Sequence, residues 1–261
     1  MAVLTVEGAT VSVGRATILT QADLTLTGGE VTIIIGPNGA GKSTLLSVAA
    51  GERKPQDGTV TLDGDDLTQL SVKELAKRRA VMPQDTTVAF PFTVREVVAM
   101  GRTVWNDGAA ADDRVAMEAL EAIGLTPFAD RAITTLSGGE HQLVAFARVI
   151  AQVAPVGDNS VVLLDEPTAA MDVAHAEATL TTARLLASQG AAVGIVLHDL
   201  DAAAAYADRL VLMSHGRVRS IGAVGEVCHE PLLSEVYGSP IEVYDHDGNI
   251  RVAPRRRLQS A

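Results

Sequence analysis

The sequence predicts an α/β fold with a mainly parallel sheet, and two observations support this prediction. First, apolar runs of strand length at residues 161–164, 193–197 and 210–213 alternate with helical stretches, which is the pattern of βαβ units. Second, residues 31–35, which are predicted to form a buried strand, lead through a glycine-rich loop into a helical segment, which is again the order of such a unit. With 261 residues, 47% of them hydrophobic, the chain can form one large core, so we expect a single domain over 1–261.

The first quarter of the chain is predicted to be mostly β. Residues 5–13 and 23–26 are rich in β-branched side chains and are bounded by glycines. A short strand is predicted at 59–62, because Asp-Gly turns flank it on both sides.

The middle of the chain is predicted to be a helical subdomain over about 85–150. Helical spacing of apolar residues dominates from residue 94 to residue 150, and the polar stretch 106–113 is predicted to be a loop within it. Residues 230–261 are treated as a C-terminal extension with a turn at 247–249.

The glycine-rich loop has the spacing GxxxxGKS of a phosphate-binding loop. Its backbone N–H groups can surround phosphate oxygens, and the following helix N-terminus favours anions. We expect Lys42 to reach the β- and γ-phosphates of ATP and Ser43 to coordinate Mg²⁺, with Thr44 on the same helical turn. These features are those of a P-loop NTPase. The loop consists of Gly36, Pro37, Asn38, Gly39, Ala40, Gly41, Lys42, Ser43 and Thr44.

Two carboxylates, Asp165 and Glu166, follow the apolar run 161–164. Open α/β sheets place their ligands at the carboxyl ends of their strands. Asp165 is therefore predicted to bind the metal ion, and Glu166 to act as a general base or to position the attacking water.

The segment Leu136-Ser137-Gly138-Gly139-Glu140 predicts a capped helix that begins near Gly138. Ser137 and Glu140 have the spacing of a capping box, and an apolar face follows at helical spacing. The two glycines leave the first backbone amides uncovered, which predicts an anion site. The predicted apolar face comprises Leu143, Phe146, Ala147, Ile150 and Ala151.

With these motifs in this order, residues 3–225 resemble the ATP-binding cassette (ABC) family. The resemblance implies a RecA-like, mainly parallel core with an N-terminal antiparallel β subdomain and an inserted helical subdomain. It also implies a homodimer in which Ser137, Gly138, Gly139 and Glu140 face the ATP of the other copy, and two transmembrane permease subunits as partners.

Three further residues match family motifs. Gln84 matches the Q-loop glutamine, which contacts Mg²⁺ or water and links the site to the permease. His198 matches the switch histidine at the γ-phosphate, and Asp172 matches the D-loop aspartate.

Two departures from the family pattern stand out. No aromatic residue lies in the stretch 10–18 to stack on adenine, so weaker adenine binding or looser base selectivity is expected. Leu143 occupies a position where many members carry arginine, and we expect it to be a helix-surface position that alters a contact across the dimer or to the permease.

The stretches 78–84 and 89–102 resemble the ABC subgroup that serves haem, iron-siderophore and cobalamin importers. This implies haem uptake, with an extracytoplasmic haem-binding protein delivering the cargo, and a permease docking after Gln84. Siderophore or cobalamin import is the alternative. A soluble ABC ATPase acting on nucleic acid is less expected, because the chain has one phosphate loop and too short an interval for a coiled-coil insertion. A regulatory module without turnover is disfavoured by Glu166 and His198.

Composition restricts the partners and the cellular location that are expected for the chain. A net charge of −11 argues against non-specific nucleic-acid binding, and the cluster Arg255-Arg256-Arg257 is expected to be a solvated tail. No apolar run approaches the length of a membrane span and no secretory signal is visible, so the chain is not expected to cross a membrane itself. The resemblance to ABC importers implies a peripheral location at the cytoplasmic face of the inner membrane. The single cysteine, Cys228, excludes an internal disulfide, and the histidines show no metal-ligand spacing.

Overall fold

The structure, a computed structural model, describes residues 1–84 and 90–255. The strands are β1 (Val3–Val13), β2 (Ala16–Thr27), β3 (Val31–Ile35), β4 (Asp57–Leu62), β5 (Asp65–Asp66), β6 (Arg79–Met82), β7 (Val161–Asp165), β8 (Ala192–Val196), β9 (Arg209–Ser214), β10 (Arg217–Ala223), β11 (Ile241–His246) and β12 (Asn249–Pro254). The α-helices are α1 (Lys42–Ala49), α2 (Val72–Arg78), α3 (Val94–Ala99), α4 (Ala109–Ala122), α5 (Gly138–Val153), α6 (Val173–Ser188), α7 (Leu200–Tyr206), α8 (Val224–Val227) and α9 (Glu230–Tyr237).

A six-stranded sheet in the order β10-β9-β3-β8-β7-β6 carries the predicted α/β core. All of its neighbouring strands pair in parallel except β10, which pairs antiparallel with β9. Every residue of β3, β7 and β8 is buried, because helices and the second sheet cover both faces of this sheet. The predicted mainly parallel α/β fold is confirmed.

A second sheet in the order β2-β1-β4-β5 is antiparallel throughout. Its inner face contributes alternating side chains such as Leu4, Val6, Leu24 and Leu26 to a core that α1 shares. The prediction of a mostly β first quarter is therefore correct. The strand predicted at 23–26 is longer than expected and begins at Ala16.

The middle of the chain is helical, as predicted, but one boundary is wrong. The stretch 106–113 was expected to be a loop, whereas α4 begins at Ala109. Its polar composition hides a helix start, because Ala109 to Ala111 are strong helix formers and Asp112 lies in the first turn, where a negative charge is favourable.

The C-terminal part folds onto the main core. Leu233, Val236, Ile241 and Val252 are all buried there. The hairpin of β11 and β12 turns at Asp247-Gly248, where both residues have positive φ, 54° and 80°, as a two-residue turn of this kind requires. In the parts of the chain that the structure describes, no helix combines the length and apolarity needed to cross a membrane.

Candidate functional site

The phosphate-binding loop joins the end of β3 to the start of α1. Gly36, Gly39 and Gly41 have φ values of 150°, 76° and 98°, which side chains rarely adopt. Space is restricted as well. A Cβ at Gly36 would lie 2.3 Å from the carbonyl oxygen of Met213, and one at Gly41 would lie 2.8 Å from Leu19 Cδ2. The glycines are therefore required by the fold of the loop, whose backbone can come close to a bound anion.

Lys42 lies at the first position of α1 and is only 5% exposed. Its Nζ donates hydrogen bonds to the carbonyl oxygens of Gly36 at 2.8 Å and Pro37 at 3.2 Å. Burial lowers the pKa of Lys42, while the charges of Glu166 and Asp165 oppose that shift. The ammonium group is thus held inside the loop at the place where phosphate oxygens would enter.

Ser43 and Asp165 are joined across the site. The Ser43 hydroxyl donates a hydrogen bond of 3.0 Å to Asp165 Oδ1 at the end of β7. Asp165 is 8% exposed, and burial raises the pKa of its carboxyl, partly offset by the Ser43 hydrogen bond. A hydroxyl and a carboxylate oxygen at this distance are hard oxygen donors of the kind that Mg²⁺ takes, so the donor set fits that ion.

Glu166 brings together two other predicted residues. Its Oε2 accepts a hydrogen bond from Gln84 Nε2 at 3.0 Å, and its Oε1 lies 2.5 Å from His198 Nε2. The backbone of Glu166 has φ 53°, a strained value for a glutamate, and its N–H donates to Val196 O at 3.1 Å. Such strain is found where surrounding structure fixes a functional side chain.

A cleft of about 520 Å³ connects these groups. It is lined by the loop from Asn38 to Thr44, by Gln84, Glu166 and His198, and by Ile18 on β2. Ile18 was not predicted as a site residue. It ends the stretch 10–18 in which no aromatic residue was found, so an aliphatic side chain faces the nucleotide cleft from this strand.

The segment of residues 136–140, called the signature segment below, has the predicted capping geometry. Ser137 caps α5, which begins at Gly138, and Glu140 Oε2 accepts from the Ser137 N–H at 2.6 Å. Hydrogen bonds from Ser137 lower the pKa of Glu140. A Cβ at Gly138 would meet nothing within 4 Å. Among the described residues that line the cleft, none belongs to this segment.

The D-loop, residues 169–172, lies against the start of α5. A Cβ at Gly139 would come within 3.1 Å of the Ala170 carbonyl oxygen. Asp172 caps α6 and accepts hydrogen bonds from both the backbone N–H of His175 at 2.9 Å and its Nδ1 at 2.8 Å. The segment containing Asp172 is therefore fixed next to the signature segment.

The expectation for Leu143 is wrong. Its side chain is 2% exposed and packs in the main hydrophobic core with Phe146 and Ala147. The position faces inward on α5 because it belongs to the apolar face of that helix, so Leu143 replaces no surface contact.

A phosphate-binding loop, a strand ending in two carboxylates and a separate capped helix start define an ATP-binding protein of the P-loop class. The chain belongs to the ABC transporter family, whose model matches residues 19–169, and is an ATPase subunit that couples its activity to transport.

Similar proteins carry more specific names. The chain is 47% identical to the hemin import ATP-binding protein HmuV of Rhodococcus jostii, over 97% of this chain and 86% of that protein. It is 51% identical to the protein of the same name from Nocardia farcinica, over 88% of this chain and 78% of that protein.

Solved structures resemble the fold throughout. One is described as an inward-facing conformation of a metal-chelate type ABC transporter, with TM-score 0.81, 25% identity and coverage of 98% of this chain and 99% of that one. Another is the dimeric bacterial ABC transporter cassette MJ0796, with TM-score 0.75, 27% identity and coverage of 85% of this chain and 98% of that one.

Proposed function

We propose that this chain is the ATP-hydrolysing subunit of an ABC importer for haem. Haem is assigned as the cargo because the chain is 47% identical, over nearly its whole length, to a protein named for hemin import. The segment after Gln84 is proposed to contact the permease. This part of the chain resembles the subgroup that serves haem, siderophore and cobalamin importers. Residues 85–89 of that segment lie outside the described residues.

The site geometry supports a division of roles in hydrolysis. Residues 36–44 hold the phosphates, and Lys42 contacts the β- and γ-phosphates from within the loop. Ser43, Gln84 and Asp165 are assigned to Mg²⁺, which supplies charge neutralisation of the phosphates when bound. Each of the three presents oxygen donors.

Glu166 is assigned to the attacking water and His198 to the γ-phosphate. Glu166 suits this role because two neighbours, Gln84 and His198, orient its carboxylate. A positioned base within hydrogen-bond reach of its proton contributes about 10²–10⁴-fold to a rate.

We further propose that two copies form a homodimer in which each binds the other's ATP. The support is that Ser137, Gly138, Gly139 and Glu140 are not among the described residues that line the cleft of their own chain, and that the helix start has open space at Gly138. A relative of the same fold is dimeric. Asp172 is assigned to the same interface, next to the signature segment.

The dimer is proposed to act on two permease subunits, peripherally at the cytoplasmic face of the inner membrane, with an extracytoplasmic haem-binding protein upstream. Phe90 and Phe92 are exposed and pack edge to face with 6.3 Å between ring centroids. They offer an apolar contact six to eight positions after Gln84 in the sequence. Residues 1–261 are proposed to act as one cassette, with the helical subdomain at 85–150 and the C-terminal extension at 230–261.

The cargo is tested by co-purifying the permease and measuring ATP turnover of the assembled complex in a membrane mimetic. Haem with its binding protein is expected to stimulate turnover, and a ferric siderophore or cobalamin is not. The matched control is the same complex carrying Glu166→Gln, in which neither compound should stimulate. Stimulation by the siderophore and not by haem would overturn the cargo assignment.

A further inference from the structure

The C-terminal arm, defined as α9, β11 and β12 in residues 230–255, is fixed to itself and to the core. The N–H of Ile241 donates to Ser234 Oγ at 2.9 Å, and the N–H of Val243 donates to Glu230 Oε1 at 3.1 Å. Four of its apolar side chains are buried in the main core, namely Leu233, Val236, Ile241 and Val252. The arm is therefore held in place by its own hydrogen bonds and by the core, so it can fix the position of an element that it contacts.

One such element is α7, the helix that follows His198. Asp201, in the first turn of α7, accepts a hydrogen bond from the Val252 N–H at 3.1 Å through Oδ1. Its Oδ2 lies 2.6 Å from Arg251 Nη2. Both oxygens of one carboxylate are thus bound by consecutive residues of β12, which fixes the start of α7 against the arm.

The start of α7 fixes the backbone on one side of His198, and on the other side the N–H of Leu197 donates to the carbonyl oxygen of Ile34 at 3.2 Å. Asp199 caps the helix by accepting from the N–H groups of Asp201 and Ala202 at 2.9 and 3.1 Å. His198 immediately precedes this cap, and its side chain is 46% exposed. An exposed imidazole has little packing to hold it, so its distance of 2.5 Å to Glu166 Oε1 depends on the backbone that carries it.

The arm also contacts the other side of the site. The hydroxyl of Tyr237, at the end of α9, lies close to the Gly36 backbone at the start of the phosphate loop, although no hydrogen bond of normal geometry joins them within the described residues. Burial raises the pKa of this phenol, so Tyr237 acts there as a neutral packing group. The same arm therefore supports both the loop and the helix that carries the switch residue.

We propose that Asp201 and Arg251 are positioning residues for hydrolysis: together with the N–H of Val252 they hold α7 so that His198 stays at Glu166. This inference rests on the proposed role of His198 at the γ-phosphate. It predicts an effect on the rate of turnover and little effect on ATP binding, because neither residue lines the cleft.

The test uses the full chain and MgATP. Asp201→Asn and Arg251→Ala are each expected to lower kcat about fivefold with KM for ATP unchanged, which is the rate equivalent of about 1 kcal/mol, the upper end for an exposed ion pair. Arg251→Lys should recover most of the rate. The matched control is Arg219→Ala. Arg219 is as exposed as Arg251, at 42%, and pairs with Glu235 of the same arm at 3.0 Å without contacting α7. It should keep the wild-type kcat.

Two readouts separate positioning from a general loss of structure. The imidazole resonances of His198, assigned by their loss in His198→Ala, should shift in Asp201→Asn and Arg251→Ala but not in Arg219→Ala. In the His198→Ala background, Arg251→Ala should have no further effect on single-turnover rates.

Wild-type kcat in Arg251→Ala, or an equal loss in the His198→Ala background, would overturn the inference while leaving the hydrolytic function intact. No ATP turnover by the wild-type chain, together with unaltered His198 resonances in Arg251→Ala, would overturn both.

Discussion

The cleft at the phosphate loop and the signature segment at the start of α5 differ in how completely one chain builds them. In the cleft, Lys42, Ser43, Asp165 and Glu166 already have partners within hydrogen-bond distance. The signature segment has its own cap, but a Cβ on Gly138, at the start of α5, would meet nothing within 4 Å.

The pKa values of the carboxyl groups in the cleft and in the signature segment are shifted in opposite directions. Burial raises the pKa of Asp165, so ionising this carboxyl is less favourable in the folded chain than in water. Hydrogen bonds lower the pKa of Glu140, so its charge is stabilised where it lies. The cleft is thus preorganised for a charged ligand, whereas the signature segment has a stable cap and an uncovered Gly138, as the proposed dimer requires.

The largest expected effect is the loss of turnover in Glu166→Gln. Removing a positioned base should lower kcat by about 10²–10⁴-fold. ATP binding should persist, because the phosphate loop remains intact. Turnover and nucleotide affinity of the purified chain provide the check, and unchanged turnover would refute the role of Glu166.

Gly138→Asp probes the open region. We expect turnover to fall about tenfold or more, because a like charge about 4 Å from a phosphate costs about 1 kcal/mol in water and about 4 kcal/mol near a protein surface. The helix itself should not suffer, since an acidic residue is favourable in the first turn. Gly138→Ala is the control, because its Cβ has free space. If both variants kept wild-type turnover, no phosphate would approach this helix.

A smaller effect is expected at Ile18, on the edge of the cleft. Ile18→Tyr should lower KM for both ATP and GTP about fivefold, because stacking an aromatic ring on a base contributes about 1–3 kcal/mol whichever base it is. Ile18→Val should behave like the wild type. Steady-state kinetics with both nucleotides check this, and a strong preference of the wild type for ATP would contradict the loose base selectivity expected here.

The smallest effects concern the stability of the nucleotide-free chain. Asp165→Asn should raise Tm and Glu140→Gln should lower it, each by a few degrees at most, given about 2–4 °C per kcal/mol for a domain of this size.

The pH dependence of these two effects has opposite sign. The Asp165 carboxyl has a raised pKa, so it favours the folded state below its ordinary value of 3.8 and loses that contribution as pH rises through the folded value. The Glu140 carboxyl has a lowered pKa, so it stabilises the fold above 4.5 and loses that contribution as pH falls through the folded value. Thermal unfolding of the wild type and both variants, measured between pH 3 and 8, should show the two Tm differences from the wild type shrinking towards low pH. Tm differences that do not depend on pH would contradict the assignment.

Much of the fold was predictable because its signals are local. The strands β3 and β7 are apolar apart from Thr32 and Asp165, and the spacing of Ser137 and Glu140 predicts the cap of α5. The pairing of Ser43 with Asp165 was implied only by strand order, since the residues lie 122 positions apart.

The rest depends on long-range packing. The contact of Arg251 with Asp201 joins two ordinary charged residues that no local pattern connects. The burial of Leu143 followed from the helical spacing, but comparison with the family pattern led to the opposite expectation. The start of α4 was missed because polar composition was given more weight than helix propensity.

The most direct test of the composite site is to mix the two variants with impaired turnover. Glu166→Gln keeps an intact signature segment, and Gly138→Asp keeps an intact cleft. In a mixed dimer one site combines the two intact halves, so a statistical mixture should recover about a quarter of wild-type turnover. Turnover of the mixture no higher than the average of the two variants measured alone would contradict the claim that one chain completes the site of another.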